Sequence, residues 1–214
     1  MIPILYRDDH IVVCVKPCGV ISQEAGENSL PGLLRAQLGA DYIGVVHRLD
    51  REVGGVMVFA LNRKAAAELS RSAQQNQFKK RYLAVLCGTP AEKTAVLEDL
   101  LYHDKMRNKT YVVSKERKGV KQASLEYTML ETSPQHSLVQ VLLHTGRTHQ
   151  IRVQFASRKL PLAGDRKYGG CGGNMGLWSY KLAFPHPQTG EIVTVKTLPP
   201  AELPWTEFSV LAQE

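Results

Sequence analysis

Short apolar runs rich in β-branched residues recur along this chain, and some of them end at a proline or a glycine. The run His10–Lys16 is followed by Pro17, and the run Tyr82–Cys87 is followed by Gly88. Such runs predict β-strands that enter turns. Further strands are predicted at Val56–Leu61, Ser124–Leu130, Leu138–Leu143, Trp178–Phe184 and Glu191–Lys196. A fold of this chain must therefore bury a sheet of many short strands.

Three segments have apolar residues at helical spacing and predict helices. They are Leu30–Leu38, with Gly39 as a C-cap, Arg63–Phe78, and His149–Arg158. Strands outnumber helices and do not alternate with them strictly, which predicts an α+β fold with a central mixed or antiparallel sheet and flanking helices. At 214 residues the chain is predicted to form a single domain over residues 1–214.

The composition, 43% hydrophobic and 22% charged residues, is typical of a globular protein in water. No stretch approaches the roughly 20 uninterrupted apolar residues of a membrane span. The apolar start at Met1–Leu5 meets Arg7 and Asp8 at once, so a signal-peptide core is missing. We therefore expect a cytoplasmic protein with no membrane segment.

The four cysteines show no pattern of a known kind. Cys14, Cys18, Cys87 and Cys171 are far apart except for one C-x3-C pair. This spacing indicates neither a zinc site nor a disulfide framework. We expect reduced thiols, some of which fill core space, and no bound metal.

An excess of 27 Lys and Arg over 20 Asp and Glu gives a net charge of +7, which favours a polyanionic partner such as RNA. Much of the excess lies in the middle of the chain, in three clusters: Lys79, Lys80 and Arg81; Lys105, Arg107 and Lys109; Lys115, Arg117, Lys118 and Lys121. These clusters predict a surface that follows phosphates, although charge alone equally suits a solvated face without a partner.

Three polar motifs interrupt the apolar pattern: HRLD at 47–50, GRTHQIR at 146–152, and a glycine-rich turn at 164–169. Each taken singly is typical of a cap or a surface ion pair. Together with DDHIVVCVKPCGV, KKRYLAVLCG, LPLAGDRKYGG and YKLAFPHPQTGE they follow the motif order of one family over roughly residues 6–195. The sequence resembles the RluA family of RNA pseudouridine synthases.

This resemblance implies the pseudouridine synthase fold and the isomerisation of uridine to pseudouridine in a structured rRNA or tRNA. It implies that Asp50 is the catalytic carboxylate, acting as a nucleophile at C1′ or as a base at C2′ of the ribose. The residues leave these two roles open. A dry pocket would raise the pKa of such a carboxyl unless a cation lies near it.

The family's other site residues map onto this sequence one by one. Arg152 matches the arginine that pairs with the catalytic aspartate, and Arg152→Met is expected to impair both folding and turnover. Tyr82 matches a tyrosine that stacks on the target base. Leu182 matches a leucine of the uracil pocket, although a leucine there is also good core material.

His47, Arg48 and Arg147 are assigned to RNA and base binding. The resemblance and its planar cation suit Arg48 to fill the gap left by a flipped base, with a phosphate contact or a salt bridge as the alternative. His47 is expected to orient its loop rather than to transfer protons. Val53 and Gly54 stand where the family usually has hydroxyl residues, so any hydrogen bond from those hydroxyls is missing in this chain.

No phosphate-binding loop, H-E-x-x-H motif or dinucleotide turn occurs in the sequence, and the reaction implied by the resemblance is redox-neutral, so no cofactor is expected. The first family strand begins by about residue 10, so we expect no N-terminal S4-type domain. We expect a monomer. Two other functions stay open: an RNA-binding or chaperone protein with this fold, and a metal-dependent nuclease, for which clustered carboxylates are missing.

Overall fold

The structure is a computed structural model that describes residues 1–212, and its strands and helices all lie within that range. The strands are β1 Ile4–Arg7, β2 Ile11–Lys16, β3 Gly44–Val45, β4 Gly54–Ala60, β5 Lys79–Cys87, β6 Thr94–Asp104, β7 Lys109–Val113, β8 Val120–Thr132, β9 His136–Leu143, β10 Leu177–Pro185 and β11 Ile192–Lys196. The helices are α1 Leu30–Leu38, α2 Arg63–Gln74 and α3 Gln150–Ala156, with short 3-10 turns at Trp205–Glu207 and Ser209–Ala212.

The chain divides into two compact units. Among the described residues, unit 1 contains residues 1–80 and 178–199, and unit 2 contains residues 81–177 and 200–212. In unit 1 the strand order is β1-β2-β4-β10-β11, and β3 also pairs with β4. The β4–β10 pair is parallel, whereas β1–β2, β2–β4, β3–β4 and β10–β11 are antiparallel. The predicted α+β fold with a mixed sheet is therefore confirmed.

The core of unit 1 lies between its sheet and α2. Asn62 caps this helix by accepting from the backbone N–H of Ala65 at 2.9 Å. Ala65 and Leu69 are four residues apart, so both point to the same side of the helix, where they are buried against Val58 and Phe184 of the sheet. Burial of this apolar face supplies the main driving force for packing α2 on the strands.

In unit 2 the strand order is β5-β9-β8-β6-β7. The β9–β8, β8–β6 and β6–β7 pairs are antiparallel, and β6 and β8 stay in register from the Thr94–Thr128 pair to the Tyr102–Val120 pair. Helix α3 is short and buried along almost its whole length. Its Phe155 packs edge-on against Tyr127 of β8, with ring centroids 5.4 Å apart. The 146–152 motif is thus held by a helix that belongs to the core.

Each predicted strand and helix is present, but boundaries differ and some strands were not predicted. Helix α2 ends at Gln74 rather than at Phe78, because Asn76 adopts a left-handed conformation with φ 56° that stops the helix. Strands β1, β3, β6 and β7 were missed. The β6 segment alternates between buried and exposed positions only loosely, so its sequence lacks a strong period of two.

The expectation of four reduced thiols is wrong for two of the cysteines. Cys87 and Cys171 form a disulfide, although 84 residues separate them in sequence. Their proximity depends on the path of the loop after α3, which no spacing rule contains. Cys14 is a buried core residue as expected, and Cys18 is an exposed thiol. Among residues 1–212, no helix has both the length and the apolar character needed to cross a membrane.

Candidate active site

Asp50 lies in unit 1 on the loop that connects β3 to β4, and its side chain is partly exposed. The loop is fixed on one side by Ser22. The Ser22 hydroxyl donates to the Leu49 carbonyl at 2.7 Å and accepts from the Leu49 backbone N–H at 3.2 Å. Leu49 itself is buried. The residue before Asp50 is therefore held by both of its backbone groups.

Lys16, at the end of β2, binds the same loop through its side-chain ammonium. Its side chain is fully buried, and its ammonium donates to the carbonyls of Pro17, Arg51 and Val53 at 2.8–2.9 Å. Burial lowers the pKa of Lys16 to about 8, and nearby negative charges, including Asp50, oppose this shift. The sequence analysis did not single out Lys16. The sequence does show a lysine at the end of an otherwise apolar strand, and that position could have indicated a buried lysine.

Two glycines open β4, and the first of them, Gly54, is with Val53 one of the two positions where the family usually has hydroxyl residues. A Cβ atom on Gly54 would lie 2.3 Å from the Trp178 ring, and one on Gly55 would lie 2.3 Å from the Ser179 carbonyl oxygen. Gly55 also has φ +117°, which L side chains rarely adopt. The Trp178 ring thus occupies the space that a serine side chain at position 54 would need.

His47 lies three residues before Asp50, and its imidazole ring is neutral. Its Nε2 accepts from the backbone N–H of Val58 at 3.1 Å, so Nδ1 carries the proton. Burial, with repulsion from Lys80, lowers the pKa of His47 to about 3. Within residues 1–212, Nδ1 has no hydrogen-bond partner. The bond from Val58 ties the ring to β4, and the low pKa keeps the ring neutral near neutral pH. Its role in orienting the loop stays a prediction.

Arg48 is exposed, and its guanidinium donates to the Gln23 side-chain carbonyl at 2.8 Å. Both side chains of this contact are exposed to solvent. The role of Arg48 beside a flipped base stays a prediction. Leu182 is in β10 and belongs to the hydrophobic cluster of unit 1. Its observed contacts are those of a core residue, and its role in a uracil pocket stays a prediction.

Arg152 lies in unit 2 on α3, where a buried aspartate binds it. Its Nε and Nη2 donate to the two carboxylate oxygens of Asp165 at 2.7 and 2.8 Å. The two side chains are 7% and 0% exposed. The sequence analysis noted Asp165 as part of a glycine-rich turn but did not predict this pair. The pairing of Arg152 with Asp50 stays a prediction.

Tyr168 connects this ion pair to the start of α3. Its ring lies 5.3 Å from the Arg152 guanidinium carbon, and its hydroxyl lies 2.9 Å from Nδ1 of His149. The backbone N–H of Thr110 donates to the same hydroxyl at 2.8 Å. Burial raises the pKa of Tyr168. The turn at 164–169 therefore supports the arginine from two sides.

The remaining candidates of unit 2 differ in exposure. Tyr82 is in β5 and is 7% exposed. Arg147 is exposed, and its Nε donates to the Gln122 carbonyl at 3.0 Å. The middle basic clusters lie mainly on the two turns that flank β7, where the exposed cations are Lys105, Arg107, Lys115, Arg117 and Lys118. These turns offer an accessible cationic surface. Lys80 of the first cluster, which belongs to unit 1, is instead half-buried, and burial lowers its pKa.

The fold is that of the pseudouridine synthases. A solved structure titled human RNA pseudouridylate synthase domain containing 1 superposes with a TM-score of 0.80 at 26% identity, over 95% of this chain and 85% of that one. The family model described as RNA pseudouridylate synthase matches residues 10–157. The chain belongs to this family, and the resemblance inferred from its motifs is confirmed.

Two relatives illustrate the range of similarity. An uncharacterized RNA pseudouridine synthase from Aquifex aeolicus is 35% identical over 89% of this chain and 67% of its own length. A ribosomal large subunit pseudouridine synthase D from Nitrosomonas europaea is 32% identical over 89% of this chain and 60% of its own length. The chain thus spans about three fifths to two thirds of the length of these relatives.

Proposed function

We propose that this protein isomerises a uridine in structured ribosomal RNA to pseudouridine, with Asp50 as the carboxylate that acts on the target ribose. Family membership carries this proposal, since the matched segment, residues 10–157, contains Asp50, Tyr82 and Arg152. The name of the Nitrosomonas europaea relative favours ribosomal RNA over transfer RNA. We further propose that the protein acts in the cytoplasm as a monomer and that both units belong to one catalytic domain.

The rigid support of the Asp50 loop favours a catalytic role. A carboxylate that must meet one carbon of a ribose gains rate from being held in place before the substrate arrives. Lys16 and Ser22 bind the backbone on both sides of Asp50, so the loop position does not depend on RNA. A protein that only binds RNA has no need to commit a buried ammonium to one turn.

In this mechanism the target base leaves its stack, at a cost of a few kcal/mol. Stacking on Tyr82 returns about 1–3 kcal/mol, and Arg48 fills the vacated space. The guanidinium of Arg152 is the cation that keeps the Asp50 carboxyl ionised. Asp165 binds Arg152 through two hydrogen bonds and so fixes the orientation of its guanidinium. The exposed cations around β7 and Arg147 contact phosphates.

The test is a tritium-release assay on ribosomal RNA transcripts labelled at C5 of uridine, which reports loss of the C5 proton as the new C–C bond forms. The parent protein should release tritium, and Asp50→Asn should release none above background. Asp41→Asn, at an exposed loop position, is the matched control and should keep full activity. Mapping pseudouridines in cells with and without Asp50→Ala then identifies the site.

Retained activity in Asp50→Asn would contradict the proposed role of this carboxylate. RNA binding by the parent without tritium release would favour the binding-protein alternative. Loss of activity on adding a chelator, with Asp50→Asn still active, would favour a metal-dependent hydrolase.

A further inference from the structure

Three side chains that are distant in sequence meet at one place in unit 2. Cys87 ends β5, His136 begins β9, and Cys171 lies in the loop after the 164–169 turn. Their sulfur atoms and imidazole nitrogen lie within 4.8 Å of one another. Nε2 of His136 is 3.2 Å from Sγ of Cys171. In the structure the two sulfurs are joined as a disulfide.

The imidazole of His136 is oriented so that Nε2 presents a lone pair to the sulfurs. Its Nδ1 lies 2.8 Å from a carboxylate oxygen of Glu207, and the Ser133 hydroxyl donates to the same oxygen at 2.9 Å. Because an ionised carboxylate only accepts, Nδ1 carries the proton of the neutral ring. A histidine whose outer nitrogen donates to a carboxylate is the usual arrangement around a metal ligand.

Backbone hydrogen bonds hold the three segments in place without help from the disulfide. The Gly88 N–H donates to the Gln135 carbonyl at 3.0 Å, and the Ser137 hydroxyl donates to the Gly88 carbonyl at 2.7 Å. These bonds fix the β8–β9 turn against the end of β5. The Gly164 N–H donates to the Cys171 carbonyl at 2.8 Å, which closes the loop. Reduction of the disulfide therefore leaves the donor groups close together.

Reduction needs two electrons and two protons, which a dithiol supplies while it is oxidised to its own disulfide. The products are the thiols of Cys87 and Cys171 beside Nε2 of His136. Two cysteines and one histidine form a soft donor set suited to zinc, and isolated cysteine pairs inside cells more often bind metal than form lasting disulfides.

We propose that the reduced chain binds one zinc-class divalent cation through Cys87, His136 and Cys171, with solvent as the fourth ligand. Both thiols lose their protons to water as the sulfurs bind the ion. Glu207 orients His136 without touching the metal. The ion and the disulfide exclude each other, since both use the same sulfurs. Either one ties the loop after Asp165 to the end of β5.

The experiment uses the full chain, reduced by a phosphine that is then removed without air, with all four thiols of the chain confirmed by titration. Co²⁺ serves as the probe because its thiolate complexes absorb in the near ultraviolet and visible. We expect saturation at one Co²⁺ per chain, thiolate-to-cobalt charge-transfer absorption, and loss of both on adding Zn²⁺. Zn²⁺ at a hundredfold excess over its Kd should raise the Tm of the reduced chain by about 5–10 °C.

Variants separate this site from other thiols. Cys171→Ser should remove the charge-transfer band and the Tm shift, and Glu207→Gln should weaken binding by about 10–100-fold. Cys18→Ser removes an exposed thiol elsewhere and should change neither. The baseline for each is the reduced, metal-free parent, which also lacks the disulfide, so a folding defect is seen before metal is added. A fully reduced parent without the cobalt–thiolate band, or a band that persists in Cys171→Ser, would overturn the proposal.

Discussion

Replacement of Asp165 by asparagine tests the buried ion pair of unit 2 with the smallest change in shape. The carboxylate is fully buried and accepts two hydrogen bonds from Arg152 at 2.7 and 2.8 Å. It also accepts from the backbone N–H groups of Lys167 and Tyr168 at 3.2 and 3.3 Å. An asparagine side chain would keep the volume, lose the charge, and turn an N–H donor toward the guanidinium or the backbone.

Loss of one partner from a buried, hydrogen-bonded ion pair costs about 3–5 kcal/mol. For a chain of this size each kcal/mol lowers Tm by about 2–4 °C, so Asp165→Asn should lower Tm by roughly 6–20 °C. The assay is thermal unfolding followed by circular dichroism, at neutral pH and under one fixed redox condition. Activity should fall as well, because the position of Arg152 is no longer fixed.

The chain provides a matched control in Glu24, which also accepts two hydrogen bonds from one arginine. Nη1 and Nη2 of Arg35 donate to its carboxylate at 2.8 and 2.7 Å, but the side chains of Glu24 and Arg35 are 53% and 35% exposed. Glu24→Gln should cost only about 0.2–1 kcal/mol because solvent screens the pair. If the Tm of Asp165→Asn lies within about 3 °C of the parent's, or is no lower than that of Glu24→Gln, burial does not make the Arg152–Asp165 pair important for stability.

Other predictions follow from unit 1. Lys16→Met should lower the free energy of unfolding, measured with urea, by about 2–4 kcal/mol, because three carbonyls lose a charged donor, although the cost of burying the ammonium is also removed. Lys64→Met, at an exposed position, is the control and should stay within about 0.5 kcal/mol of the parent. Equal effects of the two substitutions would contradict a structural role for the Lys16 ammonium. Gly54→Ser should lower the free energy of unfolding by about 1–3 kcal/mol, because the serine side chain collides with Trp178. The double variant Gly54→Ser with Trp178→Leu should be at least about 1 kcal/mol more stable than the sum of the two single effects predicts. Additive effects would contradict the clash. Burial opposes but hydrogen bonds lower the pKa of Asp8 to about 2, so this group contributes stability above about pH 4 that is lost as pH falls toward 2. Asp8→Asn should therefore lower the free energy of unfolding by about 1–2 kcal/mol at pH 7, a figure reduced because the side chain is about a quarter exposed. The difference in stability between variant and parent should shrink at pH 2, and an unchanged difference there would contradict the prediction.

The sequence was sufficient for the elements with a clear period and for the family, but not for contacts that depend on chain path. The apolar runs of β2, β4 and β5 and the helical spacing of α1 and α2 lie where they were predicted. The Arg152–Asp165 pair was not predicted, because the partners are 13 positions apart, across the end of α3 and an irregular loop. No local pattern specifies how such a segment folds back.

Lys16 and the Cys87–Cys171 pair were missed for a related reason. The burial of a lysine depends on three carbonyls that come from the turn after it and from a loop some 35 residues away. The two cysteines are 84 residues apart, and the loop after α3 brings them together. In each case the residue type was visible in the sequence, and the partner became known only from the tertiary structure.

The interlock between Gly54 and Trp178 restricts the order in which these positions can change during evolution. While the indole is present, a Cβ atom at position 54 meets the ring at 2.3 Å, so a larger residue there costs stability. A lineage that acquires the tryptophan therefore gains a reason to keep glycine beside its candidate catalytic loop. The alternative order, in which position 178 shrinks first, passes through an intermediate with a cavity in unit 1.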